Sequence, residues 1–402
     1  MKKNIFGLIL FLVALSGLSA QITISGILDS TVSLQAGAGD SPAFSFGIEE
    51  FANIRFQSKL RDKGTVYGAV NLIAAAGDYA ANAQMLALHG ASSPLSVTSY
   101  VAGQNFFAAV EIERLYFRLN GEHTDFEGGL MRMPFGYAQV WGSSDFLNPR
   151  NPLKPDARPR AVLGASLSWF PVDELKLLTF FAAPRDASAR NGEGSFFGLS
   201  VDKHWEKASV QGLYSFEIPI RTSSSNSYYG LHRFGLSVKA DLEIGFVMDA
   251  LYTYNHDAGT KEEGLSLSAG ADYSFFGGDL IVMAEYLYNG KSSSTAFEFS
   301  NNNYLYTGFT IRFNDFTNMN IALISCFDDI SFTPAITFNH DLFQGAVLTI
   351  TAQVPLDRDL FHNDGNRGEL GPIPPDELQP FKDLYGLRGR YFNCSARIRL
   401  RF

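Results

Sequence analysis

Apolar and polar residues alternate along most of the chain. Between Leu265 and Phe275 the odd positions read Leu265, Leu267, Ala269, Ala271, Tyr273 and Phe275, and the even ones Ser266, Ser268, Gly270, Asp272 and Ser274. The end repeats the pattern, with Phe392, Cys394, Ala396, Ile398, Leu400 and Phe402 set against Asn393, Ser395, Arg397, Arg399 and Arg401. A period of two places successive side chains on opposite faces of a β-strand. It predicts strands at 21–36, 44–60, 64–77, 108–119, 124–133, 160–170, 175–183, 194–202 and 207–219. Further strands follow at 227–239, 242–255, 263–275, 279–289, 302–314, 318–327, 331–339, 343–356 and 387–402.

Every second connection is short: Arg61–Lys63, Asn120–His123, Pro171–Glu174, Lys203–Glu206, Ala240-Asp241, Phe276–Gly278, Asp315–Thr317 and His340–Leu342. The others run longer, as at 78–107, 134–159 and 357–386, with one exception at Asp328–Ile330. Short turns on one side and long loops on the other predict an all-β fold, a transmembrane antiparallel β-barrel. Its strands run as an up-and-down meander, about eighteen in number, or sixteen if two weaker segments fail to form. Lipid offers no hydrogen-bond partner, so a spanning sheet must close on itself.

Composition agrees. The 402 residues are 46% hydrophobic and include 35 Phe, 17 Tyr and 37 Gly, yet mean hydropathy is −0.01. Charged residues, at 18%, fall below the roughly 25% usual in soluble domains. Beyond residue 20 no uncharged apolar run reaches the ~18 residues of a spanning helix, which excludes a multi-helix membrane protein. Aromatics form two belts. Trp169, Phe170, Trp205 and Tyr273–Phe276 lie by the short turns, and Tyr252, Tyr254, Tyr286 and Tyr288 precede long loops.

Residues 1–20 read as a signal peptide: Lys2-Lys3, an apolar stretch from Ile5 to Leu15, then Ser16–Ala20. The expected organisation is therefore a leader at 1–20 and a barrel at 21–402. Removing two lysines makes the mature chain more acidic than the formal −9 of the whole, which argues against nucleic acid as a partner. Cys326 and Cys394 fall in strands that are not neighbours, so no disulfide is expected.

At this point the chain resembles the bacterial outer-membrane porins of diderm cells. The residues that carry the likeness are the leader, the strand pattern and the ending Arg399-Leu-Arg-Phe402. The resemblance implies that Phe402, with Leu400, Ile398 and Phe392 upstream on the same face, is read by the barrel-assembly machinery. It also implies the cell outer membrane as location, a homotrimer, and ion and solute transport by diffusion. In that group the third long loop folds inward and narrows the pore. By count this is 134–159, which holds five prolines and the candidates Trp141, Asp145, Arg150, Lys154 and Arg158, with Arg160 next to it.

Parity places Arg55, Arg114, Arg118 and Arg312 on the inner wall, with Arg132 at the loop base. Arginine on the lipid face costs about 2–4 kcal/mol at the midplane, so inward placement is favoured. Acidic inner candidates are Asp29, Asp249, Asp272 and Glu285. An arginine-lined wall opposed by Asp145 would favour anions. The final strand offers Arg397, Arg399 and Arg401 to the lumen, of which Arg399 and Arg401 read as mouth residues. The acidic run at 357–386 matches no regular cation loop and reads as a solvated surface, and no metal site is expected.

No catalytic motif is found, so neither an enzyme nor a cofactor is expected. The leading expectation is a porin passing small hydrophilic solutes. The alternatives are a channel specific for an organic acid or sugar, suggested by Tyr304, Tyr306 and Trp141, and a surface adhesin or structural barrel.

Overall fold

In the computed structural model the alternating segments pair into one sheet. The structure describes residues 22–37, 44–60, 63–77, 99–103, 105–148, 159, 161–184, 194–221, 228–255, 263–290, 301–328, 330–354, 356 and 391–402. The expected leader, Arg150, Lys154, Arg158, Arg160, most of the loop at 78–107 and all of that at 357–386 lie outside them.

The strands are β1 (Ile22–Gly37), β2 (Phe44–Leu60), β3 (Gly64–Gly77), β4 (Ser99–Gly103), β5 (Phe106–Asn120), β6 (Thr124–Met131) and β7 (Val162–Val172). There follow β8 (Leu175–Ala182), β9 (Phe196–His204), β10 (Ala208–Arg221), β11 (Tyr228–Asp241), β12 (Gly245–Asn255) and β13 (Gly264–Phe275). The last six are β14 (Leu280–Asn289), β15 (Asn303–Asn314), β16 (Thr317–Cys326), β17 (Ser331–Phe343), β18 (Ala346–Gln353) and β19 (Tyr391–Arg401).

Eighteen of them, all but β4, pair antiparallel with their chain neighbours, and β1 pairs with both β2 and β19. The ring is therefore closed, as the alternation predicts, and leaves no sheet edge along the seam. At that seam the Phe402 N–H donates to the Gly26 carbonyl at 3.2 Å and the Gly26 N–H to the Phe402 carbonyl at 2.8 Å. A side chain at Gly26 would meet the Phe402 ring, its Cβ lying 2.5 Å from the ring edge.

Two details depart from the expected pattern. The β11–β12 turn lies at 242–244 rather than at Ala240-Asp241, because Asp241 pairs with Gly245 and extends the ladder. β4 was hidden inside the expected loop 78–107. It pairs with β5 from Gly103↔Phe106 to Ser99↔Val110, along the edge that β6 leaves vacant above its Leu130↔Leu115 pair.

The two faces separate cleanly. Outward positions carry exposed apolar groups such as Ile24, Phe46, Leu236 and Ile398, while inward Asn53, Ser268 and Asp249 are fully buried. Phe392, Ile398, Leu400 and Phe402 share the outward face of β19. On β5 the register shifts so that Ala69 pairs with Arg114 and Val70 with Ile112, leaving Glu113 as an extra residue. This bulge turns both Glu113 and Arg114 inward. Among the described strands one carboxylate sits on the outward face: Glu50, whose Oε1 accepts the Ser30 hydroxyl at 2.6 Å. Cys326 and Cys394 are free thiols.

Candidate functional site: a loop clamped inside the ring

After Met131 the chain leaves the wall, and residues 132–148 lie inside the ring. Met131, Met133, Phe135 and Leu147 pack against inward Val162, Leu178, Phe180, Ala182, Phe196, Leu213 and Leu251 of β7–β12. Strand β8, Leu-Lys-Leu-Leu-Thr-Phe-Phe-Ala, is apolar at both parities because protein covers its inner face as well.

Six consecutive backbone amides of the loop point at that wall. The Gly136 N–H donates to Gln211 Oε1 at 2.8 Å, and the Tyr137 and Ala138 N–H groups to Asp249 Oδ1 and Oδ2 at 2.8 and 3.1 Å. The Gln139 and Val140 N–H groups donate to Glu285 Oε2 at 2.9 and 3.0 Å, and the Trp141 N–H to Glu285 Oε1 at 2.8 Å. A run of N–H groups facing one way forms a concave anion seat, here filled by carboxylates from β12 and β14. Hydrogen bonds to a charged group contribute about 1.5–3 kcal/mol each, which offsets the desolvation of Asp249 and Glu285. The turn into this run needs Gly136: its φ is 84°, and a Cβ there would strike the Asp249 carboxylate.

Trp141 ends the run. Its indole N–H donates to the Glu285 carbonyl at 2.8 Å, and its ring packs on Tyr304 at 5.8 Å beside Leu287, Ile324 and Cys326. The chain then reverses at Gly142, φ 55°, whose carbonyl accepts the Asp145 N–H at 2.9 Å. On the return, Asp145 Oδ1 accepts the Asn148 N–H at 3.1 Å and Asn148 Oδ1 the Met133 N–H at 2.8 Å, which ties the loop shut at its base. Phe146 stacks on Phe135 and faces the Arg233 guanidinium, itself paired with Glu217 at 2.7 Å. The Tyr137 hydroxyl is pushed up to about 12 by burial, then by the nearby Asp202 and Asp249 charges, so it stays protonated across the physiological range.

The expected basic residues divide into three groups. Arg55, Arg114 and Arg132 gather on the inner wall of β2–β6. Arg132 bonds Glu113 at 2.7 Å, Arg114 reaches the Tyr67 hydroxyl at 2.8 Å, and Arg55 Nε bonds Asn53 Oδ1 at 2.7 Å. Asn53 in turn donates to Asn71 and to Glu113, and Asn71 to Glu111. Arg118, ion-paired with Glu127, and the exposed Arg312 lie near the short turns. The third group lies outside the described residues, as given above.

Trp141 and Asp145 are in the loop but buried, so neither faces the passage. Indole burial and the Asn148 N–H account for them, and Asp145 does not oppose the arginines across a lumen. Asp29 is held bidentate by Arg399, both bonds 2.7 Å. Asp249 and Glu285, inward as parity predicts, clamp the loop. Parity did not single out Gln211, Glu113 or Arg233; the bulge hid Glu113, and the other two need the loop in place to show a role.

No protein-family model and no curated protein sequence matches this chain. Solved structures share its fold. Acinetobacter baumannii OccAB3 superposes with a TM-score of 0.55 at 10% identity, over 95% of this chain and 99% of that one. Pseudomonas aeruginosa OccK9 (OpdG) gives 0.55 at 11% identity, over 95% and 99%. The outer membrane protein OpdK of the same species gives 0.52 at 8% identity, over 94% and 98%. At these identities the likeness is one of fold.

Proposed function

We propose that this chain is an outer-membrane channel through which small hydrophilic solutes diffuse passively, with a lean towards anions. One observation carries the reading: a closed ring holds a loop inside it, clamped by hydrogen bonds along β10–β14, and the loop meets the wall beyond them at its two ends, Trp141 on Ile324 and Cys326 of β16 and Arg132 on Glu113 of β5. A ring of eighteen strands is wide enough to leave an aqueous passage, and the loop would set its narrowest part. The outward apolar face suits a bilayer. On the inner wall of β2–β6 Arg55, Arg114 and Arg132 stand in one hydrogen-bonded cluster with Glu111 and Glu113, an excess of one positive charge within the cluster. No chemical step is assigned.

Refolded protein in a planar bilayer should conduct in KCl, with a reversal potential in a salt gradient that reports chloride entering more readily than potassium. A lumen closed to ions would replace the channel by the adhesin or structural barrel. The second reading, a channel specific for an organic acid or sugar, is favoured by the cross-strand order of the polar wall; saturable block by such a solute separates it from general diffusion.

The same proposal includes the terminal strand as the signal for the barrel-assembly machinery, supported by the outward placement of Phe402. Phe402→Ser should lower the yield of folded protein in the outer membrane. It also includes the homotrimer implied by the porin resemblance, which cross-linking in mild detergent would reveal.

A further inference from the structure

We infer that the inner wall of β16–β18 is a hydroxyl-recognising track, an uncharged row of amides and hydroxyls that binds the hydroxylated part of a permeating polyol or sugar. This rests on the channel reading above and assigns it a solute class.

Towards the short turns the inward positions Asn318, Asn320, Thr337, Asn339, Thr349 and Thr351 are polar and uncharged, whereas on the loop side β16 turns apolar at Ala322, Ile324 and Cys326. Asp341, at the turn-side end of β17, is the one charged side chain that these strands turn inward among the described residues. Elsewhere the inner wall carries arginine and glutamate freely, and water in the lumen would tolerate them here too. Instead the side chains bond to one another across strands. Thr310 Oγ1 donates to Asn320 Oδ1 at 2.8 Å, Asn339 Nδ2 to Asn318 Oδ1 at 2.9 Å, and Thr349 Oγ1 to Asn339 Oδ1 at 2.9 Å.

Every one of these bonds ends on an asparagine carbonyl oxygen. The three amides are thereby held in one orientation, and their N–H groups, except the one Asn339 gives to Asn318, remain for a visitor. All of these side chains are partly buried, so they are ordered and still reach the lumen. A hydroxyl both donates and accepts, so it can bond an asparagine N–H and a threonine oxygen together. A cation can use only the carbonyl and hydroxyl oxygens and an anion only the N–H and O–H groups, whereas a hydroxyl uses both. Several weak, equivalent sites in a row also suit conduction, because a solute must bind well enough to enter and loosely enough to leave.

The test is liposome swelling, normalised to the KCl conductance of the same preparation. Sorbitol is compared with triethylene glycol dimethyl ether, a solute of similar length without hydroxyls. Sorbitol entry should saturate with concentration while the ether's stays linear. Asn320→Leu combined with Asn339→Leu should weaken the sorbitol half-saturation about tenfold, as expected for two lost hydrogen bonds. The wild-type comparison needs no variant, so a misfolded double mutant does not blunt it, and Asn320→Ser with Asn339→Ser should restore part of the saturation. Linear entry of both solutes, ordered by size alone, would overturn the track. Absence of KCl conductance would overturn the channel reading instead.

Discussion

From β8 to β14 the inner wall presents Leu178, Phe180, Leu213, Leu251 and the carboxylates of Asp249 and Glu285, all beneath the loop. From β17 through β1 to β5 it presents asparagines, threonines, the pair Arg399–Asp29, and Glu113 paired with Arg132 of the loop base. The same residue type does different work on the two sides. Glu285 accepts three backbone N–H groups, which are fixed by the peptide chain. Glu113 accepts from the side chains of Asn53 and Arg132. The covered side is built as a protein core that happens to contain carboxylates; on the bare side Asp29 and Glu113 are buried too, but each is paired with an arginine that stays partly exposed.

The sharpest way to break this contrast is to release the loop. Asp249 and Glu285 together accept five backbone N–H groups. Each buried donor left unpaired costs about 1–3 kcal/mol. The double variant Asp249→Ala, Glu285→Ala should therefore free residues 136–141 from the wall, giving a larger and noisier single-channel current. A current of unchanged size would mean that the loop does not limit the passage.

Gly136→Val attacks the same clamp from the loop side. A β-branched residue at a φ of 84° is strained, and its side chain would press on the Asp249 carboxylate. A loss of about 1–3 kcal/mol is expected from the backbone alone, read as a lower urea midpoint for the folded barrel. The expected rise in current is smaller than for the double variant, because Glu285 still holds its three amides.

On the bare side the readout is selectivity rather than size. Arg114→Ala or Arg132→Ala should move the reversal potential in a KCl gradient towards cations. Glu113→Gln should move it the other way, since it removes the carboxylate that both arginines face. If Asp249→Asn shifted the potential as much as Glu113→Gln, the division between a covered and a responsive side would fall.

Most of the ring was legible because lipid outside and water inside impose alternation residue by residue, and the segment after β6 stood out as the third long connection. Its attachment was not legible. Asp249 and Glu285 could be placed on the inner face by parity, but their partners are backbone amides more than a hundred residues away, which carry no side-chain signature. The apolar inner face of Leu175–Ala182 was the one trace of the cover, visible as a lapse in alternation. β4 left no trace, because five residues within a long connection pair only where β6 has departed. Glu113 was mis-phased by its own bulge.

The smallest predicted effect tests whether lipid asks the same of both sides of the molecule. Behind the bare arc, Glu50 faces outward with Ile48, Phe46 and Phe44 beyond it and Ala52, Ile54 and Phe56 before it on the same face. Three apolar positions on either side set it well within the apolar band, and its partner is one serine hydroxyl. Its neighbour Glu49 points into the lumen. Carboxylates on the lipid face of a barrel cost less than the ~2–4 kcal/mol of a basic residue at the midplane, and the cost fades towards the interfaces. Glu50→Leu should therefore raise the unfolding free energy by about 1 kcal/mol in lipid vesicles, a modest gain because Ser30 loses its acceptor. Glu49→Leu should bring no such gain. Equal responses at the two adjacent positions would mean that this stretch of β2 does not separate hydrocarbon from water.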